Sequence, residues 1–172
     1  MSIEISPAKP DSSKGTYVLW LHLPAPAQVE IGKLGTFSLL AGWYGYVGSA
    51  MGSGGLRGRL KHHLSPVRRP HWHIDYLRQV AISQAVWAIA DSTSHEHCWA
   101  SVLHRLPGAR MPIRRFGASD CQCVTHLYYF FMQPDVESFR ESAANRHLSA
   151  RLIINYPEDI VGNRRSGVDL WD

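Results

Sequence analysis

Tyr17, Tyr46, Arg59 and His63 are the residues of this chain whose types and spacing could do chemistry together. A phenol or an imidazole can take a proton from water, and an arginine fork matches the oxygens of a phosphate and stabilises charge developing on them. Arg59 and His63 stand one helical turn apart, so a single helix face would present both. Between Tyr46 and Arg59 lie Gly48, Gly52, Gly54 and Gly55, which permit a tight turn and a close backbone approach to an anion. The same pattern also suits two half-buried sheet tyrosines and two solvated cations. What decides between these readings is how the surrounding elements hold the four side chains.

The segment Gly15 to His22 is rich in β-branched and aromatic residues, reads as a strand and is stopped by Pro24 and Pro26. A second extended piece runs through Val29 to Ile31. Gly32-Lys33-Leu34-Gly35 is a hairpin turn before Phe37 to Leu40, and Trp43 to Gly48 is a further strand. An antiparallel meander of these pieces would set Tyr17 beside Tyr46. Leu56, Leu60 and Leu64 form one apolar stripe of a helix from Gly55, ended by Pro66, with most of the basic residues beside or opposite that stripe. His71 to Gln79 reads as a short helix or turn, and Ala81 to Ala90 as a buried strand. Asp91 to Ser94 offer N-caps for a helix from His95 to Leu106, closed by Pro107-Gly108. A last strand is expected within Gln122 to Phe131 and a helix from Val136 to Leu148. The fold class is therefore α/β of the α+β type: a small central antiparallel sheet flanked by helices. Residues 1–14 read as a flexible lead, 15–133 as the main domain, and 134–172 as a C-terminal helix and tail.

A hydrophobic fraction of 45% with 19% charged residues is that of an ordinary globular chain. The net charge of +4 is concentrated: Arg57, Arg59, Lys61, Arg68 and Arg69 occur with no acid among them, and Arg105, Arg110, Arg114 and Arg115 form a second group. Basic clusters of this kind make nucleic acid the leading class of partner and do not exclude RNA. No apolar run is long enough to span a membrane, and the polar N-terminus lacks the apolar centre of a signal peptide, so a cytoplasmic location is expected. The three cysteines then read as reduced thiols.

Gly15-Thr16-Tyr17, Tyr46-Val47-Gly48, and Arg59 followed by His63 occur in the order and close spacing of the GIY-YIG nuclease signature, and the chain resembles that superfamily. It is most similar to a little-characterised branch found alone or fused to endonuclease III-type repair enzymes. The phrases carrying that likeness are Gly32-Lys33-Leu34-Gly35, Tyr46 to Ala50, His71-Trp72-His73-Ile74-Asp75-Tyr76-Leu77 and Phe116-Gly117-Ala118-Ser119-Asp120-Cys121. Thr16 stands where isoleucine is usual, on a side chain expected to face the other side of the strand. The two tyrosine motifs are also farther apart than in the compact pattern, which leaves room for the Gly32-Lys33 hairpin and bears on the substrate groove.

The resemblance implies metal-dependent DNA cleavage in repair or processing. Tyr17 or Tyr46 would activate water with help from His63, Arg59 would steady the phosphate, and Glu96 would bind Mg²⁺ or Mn²⁺. A single hard carboxylate suits such an ion when water and substrate phosphate complete its shell. Thr93-Ser94-His95-Glu96 is equally a capping box, in which Glu96 would only reach back to the Thr93 amide. Arg57, Lys61, Arg68 and Arg69 would track the nucleic-acid backbone, and His71 and His73, with Asp75, would line the groove. Asp120, Cys121, Cys123 and His126 form another polar cluster, read either as buried thiols in a hydrogen-bonded loop or as zinc ligands needing a fourth partner such as Cys98. A nucleic-acid-binding module that does not cut, or a zinc-stabilised interaction domain, are the alternatives.

Overall fold

A computed structural model describes residues 11–144 and 154–156. The elements are β1 (Gly15–Leu23), β2 (Ala27–Glu30), β3 (Thr36–Leu39), β4 (Gly42–Ala50), α1 (Gly55–Leu64), α2 (His73–Leu77), β5 (Ile82–Ala90), α3 (Glu96–Arg105), β6 (Leu127–Phe130), α4 (Val136–Ala144) and β7 (Ile154–Tyr156). The fold is α+β, with a five-stranded antiparallel sheet in the order β6-β4-β1-β5-β7 and helices on both faces.

β1 is central because its side chains are buried on both faces. Tyr17, Leu19, Leu21 and Leu23 enter one core with α1, while Val18 and Trp20 enter a second with α3 and α4. Burial of that kind is what a run of large apolar and β-branched residues requires. On α1 the buried stripe is Leu56, Leu60, His63 and Leu64, as the four-residue spacing predicts, with a histidine included. On α3 it is Trp99, Ala100, Val102 and Leu103, packed with Trp20, Trp87 and Phe139. Each such large apolar side chain contributes about 1.5–3 kcal/mol when fully buried. Phe139 and Ala143 make α4 part of that second core.

Three details differ from the sequence reading. β1 pairs directly with β4, while β2 and β3 form a separate two-stranded sheet, so there is no continuous meander. Pro24 and Pro26 end β1 early enough for the intervening hairpin to leave the sheet and return. The strand expected within 122–131 is confined to Leu127–Phe130, because the residues before it carry polar side chains engaged elsewhere. Residues 11–14 are tied to the domain: the carbonyls of Asp11 and Ser13 accept the Arg57 and Leu56 amides, and that of Lys14 accepts the Asp91 amide. They satisfy α1 amides that its Gly54 cap, with no side chain, leaves open. The expected lead before residue 11, the end of the 136–148 helix beyond Ala144, and most of the tail lie outside the described residues. No helix among the described residues is long and apolar enough to cross a membrane.

Candidate active site

Tyr17 lies opposite Gly48 in the β1–β4 register, and Tyr46 lies opposite Leu19 two positions along on the same face. A side chain at Gly48 would collide with the Tyr17 hydroxyl, so the glycine lets the phenol ring cross β4. The hydroxyl thereby reaches α1, where Tyr17 Oη and His63 Nε2 are 2.6 Å apart in a buried hydrogen bond. The Tyr46 ring stands edge-on to His63 at 6.2 Å and to Phe116 at 5.9 Å. Tyr46 keeps some access to solvent; Tyr17 and His63 have almost none.

Burial raises both phenols well above their usual range, and Tyr46 is raised further by the negative charge of Glu96. Burial, then the positive charges of Arg78, His62 and Arg59, pull His63 down to about 3. At neutral pH the Tyr17 hydroxyl therefore donates to an uncharged His63 Nε2. The remaining ring proton sits on Nδ1, which is buried without a hydrogen-bond partner among the described residues.

Asp75 braces this face from below. Its Oδ2 accepts the His71 and Trp72 amides at 3.0 Å each, and its Oδ1 meets Arg78 Nη1 and His62 Nε2 at 3.2 Å each. Burial alone would raise this carboxyl, but the two amides and His62 outweigh it and hold it below the usual carboxylate range. Arg78 also donates to the Ser65 carbonyl, which locks α2 to the end of α1. Above Asp75, Trp72 makes a platform: the Arg59 guanidinium lies 4.4 Å from its ring centre and His62 4.5 Å. A groove of about 260 Å³ runs beside it, lined by Gly52, Gly54, Gly58, Arg59, His62 and Trp72. Among the four glycines of this turn, only Gly55 has a positive φ; the others leave space rather than supply an unusual backbone.

Glu96 approaches from the other face of the sheet. Ser49, which alternates with Gly48 along β4, donates to Glu96 Oε2 at 2.8 Å, and His126 Nδ1 lies 3.0 Å from Oε1. Burial alone would raise Glu96; the His126 and Ser49 contacts outweigh it, and the group is an ionised carboxylate. The capping box does not form, since Asp91 takes the Thr93 amide and the His95 ring while Glu96 turns toward β4. Thr16 faces α3, as expected of the residue between Gly15 and Tyr17, and its Oγ1 accepts the His95 amide at 2.8 Å. A hard dication needs oxygen donors. Glu96 is the acid placed to meet that need: it is ionised and about a fifth exposed, and Ser49 and His126 take one contact on each of its oxygens, whereas Asp75, the other acid whose charge reaches both tyrosines, is fully buried and holds four partners. The residues present therefore fit Mg²⁺ or Mn²⁺ held by one carboxylate, with water and phosphate completing the shell.

Gly117, at φ +67°, joins the two faces: a Cβ there would lie 2.7 Å from the Tyr46 ring and 3.2 Å from His126 Cβ. Beside it, His97 Nδ1 and Cys123 Sγ are 3.0 Å apart, and Cys121 Sγ and His126 Nε2 are 3.5 Å apart. Burial, then Cys121 and Glu96, push the Cys123 thiol up to about 11. His97, not Cys98, completes this cluster; Cys98 is exposed and apart from it.

The fold thus brings Tyr17, Tyr46, His63 and Arg59 to one side of β4 and Glu96 to the other. Arg57, Lys61, Arg68, Arg69 and His71 are exposed around the groove's helix and the loop that follows it. His73 is partly buried, and its Nδ1 accepts the Gly117 amide at 3.0 Å, so one of its ring nitrogens holds a loop. Residue-type reasoning missed Ser49, His62 and Trp72 as members of the site, and read His126 as part of the cysteine cluster without its contact to Glu96. Their signal was adjacency: each lies next to, or a few residues from, a residue already singled out. A family model described as domain of unknown function DUF123 matches residues 16–149, which include all of these positions. Comparison with curated proteins and with solved structures gives no match.

Proposed function

The chain belongs to the DUF123 family, and we propose that it is a metal-dependent DNA endonuclease of the GIY-YIG type that hydrolyses phosphodiesters in DNA repair or processing. One observation carries the reading. The Tyr17–His63 hydrogen bond of 2.6 Å fixes a neutral phenol–imidazole pair next to Tyr46, on the helix that also carries Arg59.

In this reading the glycine-lined groove beside Trp72 receives the backbone, and the Arg59 fork binds the scissile phosphate. Tyr46, the tyrosine with access to solvent, would first give up its own phenol proton to solvent under the positive charge of Arg59, and the phenolate would then take the proton from the attacking water. Tyr17 and His63 hold that face in register and keep it free of a competing charge. Glu96 would hold Mg²⁺ or Mn²⁺, whose charge would favour a bound phosphate and offset the carboxylate's field on Tyr46. Arg57, Lys61, Arg68 and Arg69 follow phosphates without reading sequence, and an RNA backbone would suit them as well. The three cysteines are unpaired, in keeping with a reducing cytoplasmic setting.

A second reading, a binding module that does not cut, is favoured by the protein neighbours that both Glu96 oxygens already have. Incubation with nicked, branched and linear DNA, and with RNA, in the presence of Mg²⁺ separates the two. Metal-dependent cutting that is lost in Arg59→Ala and in Glu96→Gln supports the nuclease; binding without cutting by the parent chain supports the module and sinks the enzyme.

A further inference from the structure

We propose that His97 Nδ1, Cys121 Sγ, Cys123 Sγ and His126 Nε2 form a closed, structural Zn²⁺ site that clamps the start of α3 to the loop before β6. The four ligand atoms lie within 4.8 Å of one another. Tetrahedral zinc, with bonds of about 2.3 Å to sulfur and 2.0–2.1 Å to nitrogen, sets its ligand atoms roughly 3.3–3.8 Å apart. A nitrogen and a sulfur on one such ion stand about 3.5 Å apart, and His97–Cys123 at 3.0 Å and Cys121–His126 at 3.5 Å lie within about half an ångström of that. Two thiols and two imidazoles are also the donor types that zinc prefers over the hard oxygen of Glu96.

The surroundings are built as a metal site is built. His126 is 2% exposed, and its Nδ1 has no well-directed hydrogen bond, yet it lies 3.0 Å from Glu96 Oε1. A histidine that binds zinc through one nitrogen turns the other toward a carboxylate or a carbonyl, and Glu96 supplies that partner here. The ring is presented by fixed backbone: the His126 amide donates to the Phe116 carbonyl at 2.8 Å, and its own carbonyl accepts the Val47 amide at 2.9 Å. The thiols come from a loop wound around Arg115, which has φ of 63° and whose guanidinium donates to the carbonyls of Ser119, Cys121 and Cys123. All four coordination positions are filled by protein, which marks a structural centre and leaves no place for a reacting water. Its effect would be to set Glu96, the neighbour of His97, against β4.

A zinc clamp would stand whether or not the chain cuts DNA, so the test reads metal and not cleavage. The full chain, purified under reducing conditions and supplied with ZnCl₂, should hold about one zinc per chain by elemental analysis. In that form one thiol, Cys98, should react readily with a thiol reagent. After stripping by a strong chelator all three should react, with zinc release in step. Cys98→Ser should keep the metal, Cys123→Ser should lose it, and Glu96→Gln should weaken it about 10–100-fold. Cobalt should give a thiolate charge-transfer band together with tetrahedral d–d bands. Failure to bind zinc, equal reactivity of the three thiols before stripping, or full occupancy in Cys123→Ser would each overturn the proposal. The thiol and release measurements use the unmutated chain and do not depend on the variants folding.

Discussion

The two faces of β4 hold their polar groups in different ways. On the α1 face the groups complete one another: Tyr17 donates to His63, and Asp75 accepts two amides and meets Arg78 and His62. Among the described residues, the only buried ring nitrogen left over on that face is His63 Nδ1. On the α3 face a carboxylate, two thiols and two imidazoles converge with few protons to share. The first arrangement is held by register and packing and is finished without a ligand. The second is a set of Lewis bases that gathers lone pairs faster than donors, and a cation is what balances it. Preorganisation on one side and metal dependence on the other are therefore separable properties of one small sheet.

The largest effect expected concerns the α1 face alone. His63 has a folded value of about 3 against 6.5 for an ordinary histidine, because burial keeps it neutral. Below pH 6.5 the unfolded chain binds a proton that the folded chain does not. Stability present at neutral pH is lost as pH falls toward 3, at about 1.4 kcal/mol per pH unit and about 4–5 kcal/mol in all. Denaturant melts from pH 7 to 4 should show that slope in the parent and a flatter one in His63→Gln. Parallel curves would mean that His63 is reached by water, and the distinction between the faces would go.

Cleavage tests the joint action of the two faces. Arg59→Ala and Glu96→Gln should each lower turnover about 10²–10³-fold, the cost of removing one preorganised charge from a site. If Arg59→Ala alone has that effect, the α3 face is structural and the metal at Glu96 is not part of the chemistry. A smaller effect is expected from Gly48→Ala. The added methyl meets Tyr17 Oη, so it should cost about 1–3 kcal/mol in stability and should break the Tyr17–His63 bond without touching the α3 face. Zinc content unchanged in that variant, beside a lowered melting midpoint, would separate the faces cleanly.

The α1 face was legible in the sequence because its parts are local. Tyr46, the glycine turn, Arg59 and His63 fall within one strand–turn–helix, and Tyr17 needs only one antiparallel pairing to join them. The role of Asp75 was half legible: its alternation with His71 and His73 marked it as groove-lining, but the two amides it accepts could not be seen without the bend between α1 and α2. On the α3 face Glu96, Cys121, Cys123 and His126 were legible one by one, but their meeting with Ser49 and His97 was not, for a different reason. Ser49 and Glu96 are 47 residues apart, and no periodicity links a strand residue to the first turn of a helix on the far side of the sheet. Cys98 offered the right chemistry, yet one step along a helix turns a side chain by about 100°, which takes Cys98 away from the loop and brings His97 to it. The meander was misread because hydrophobic alternation identifies strands and not their partners.

The smallest effect concerns the two basic clusters. Lys61 is on the helix that carries Arg59, and Arg69 is exposed on the segment after it, whereas Arg105 and Arg114 belong to the stretch from the end of α3 toward β6. If the groove side tracks the backbone, removing one phosphate-binding cation there lowers the slope of log affinity against log salt by about 0.7–0.9. Lys61→Ala should therefore weaken DNA binding at low salt and flatten its salt dependence by roughly that amount, and Arg69→Ala should do likewise. Arg105→Ala and Arg114→Ala should leave the slope unchanged. The reverse result would move the nucleic acid to the α3 side of the sheet. It would then approach Glu96 without crossing Tyr46, and the α1 face would be a scaffold only.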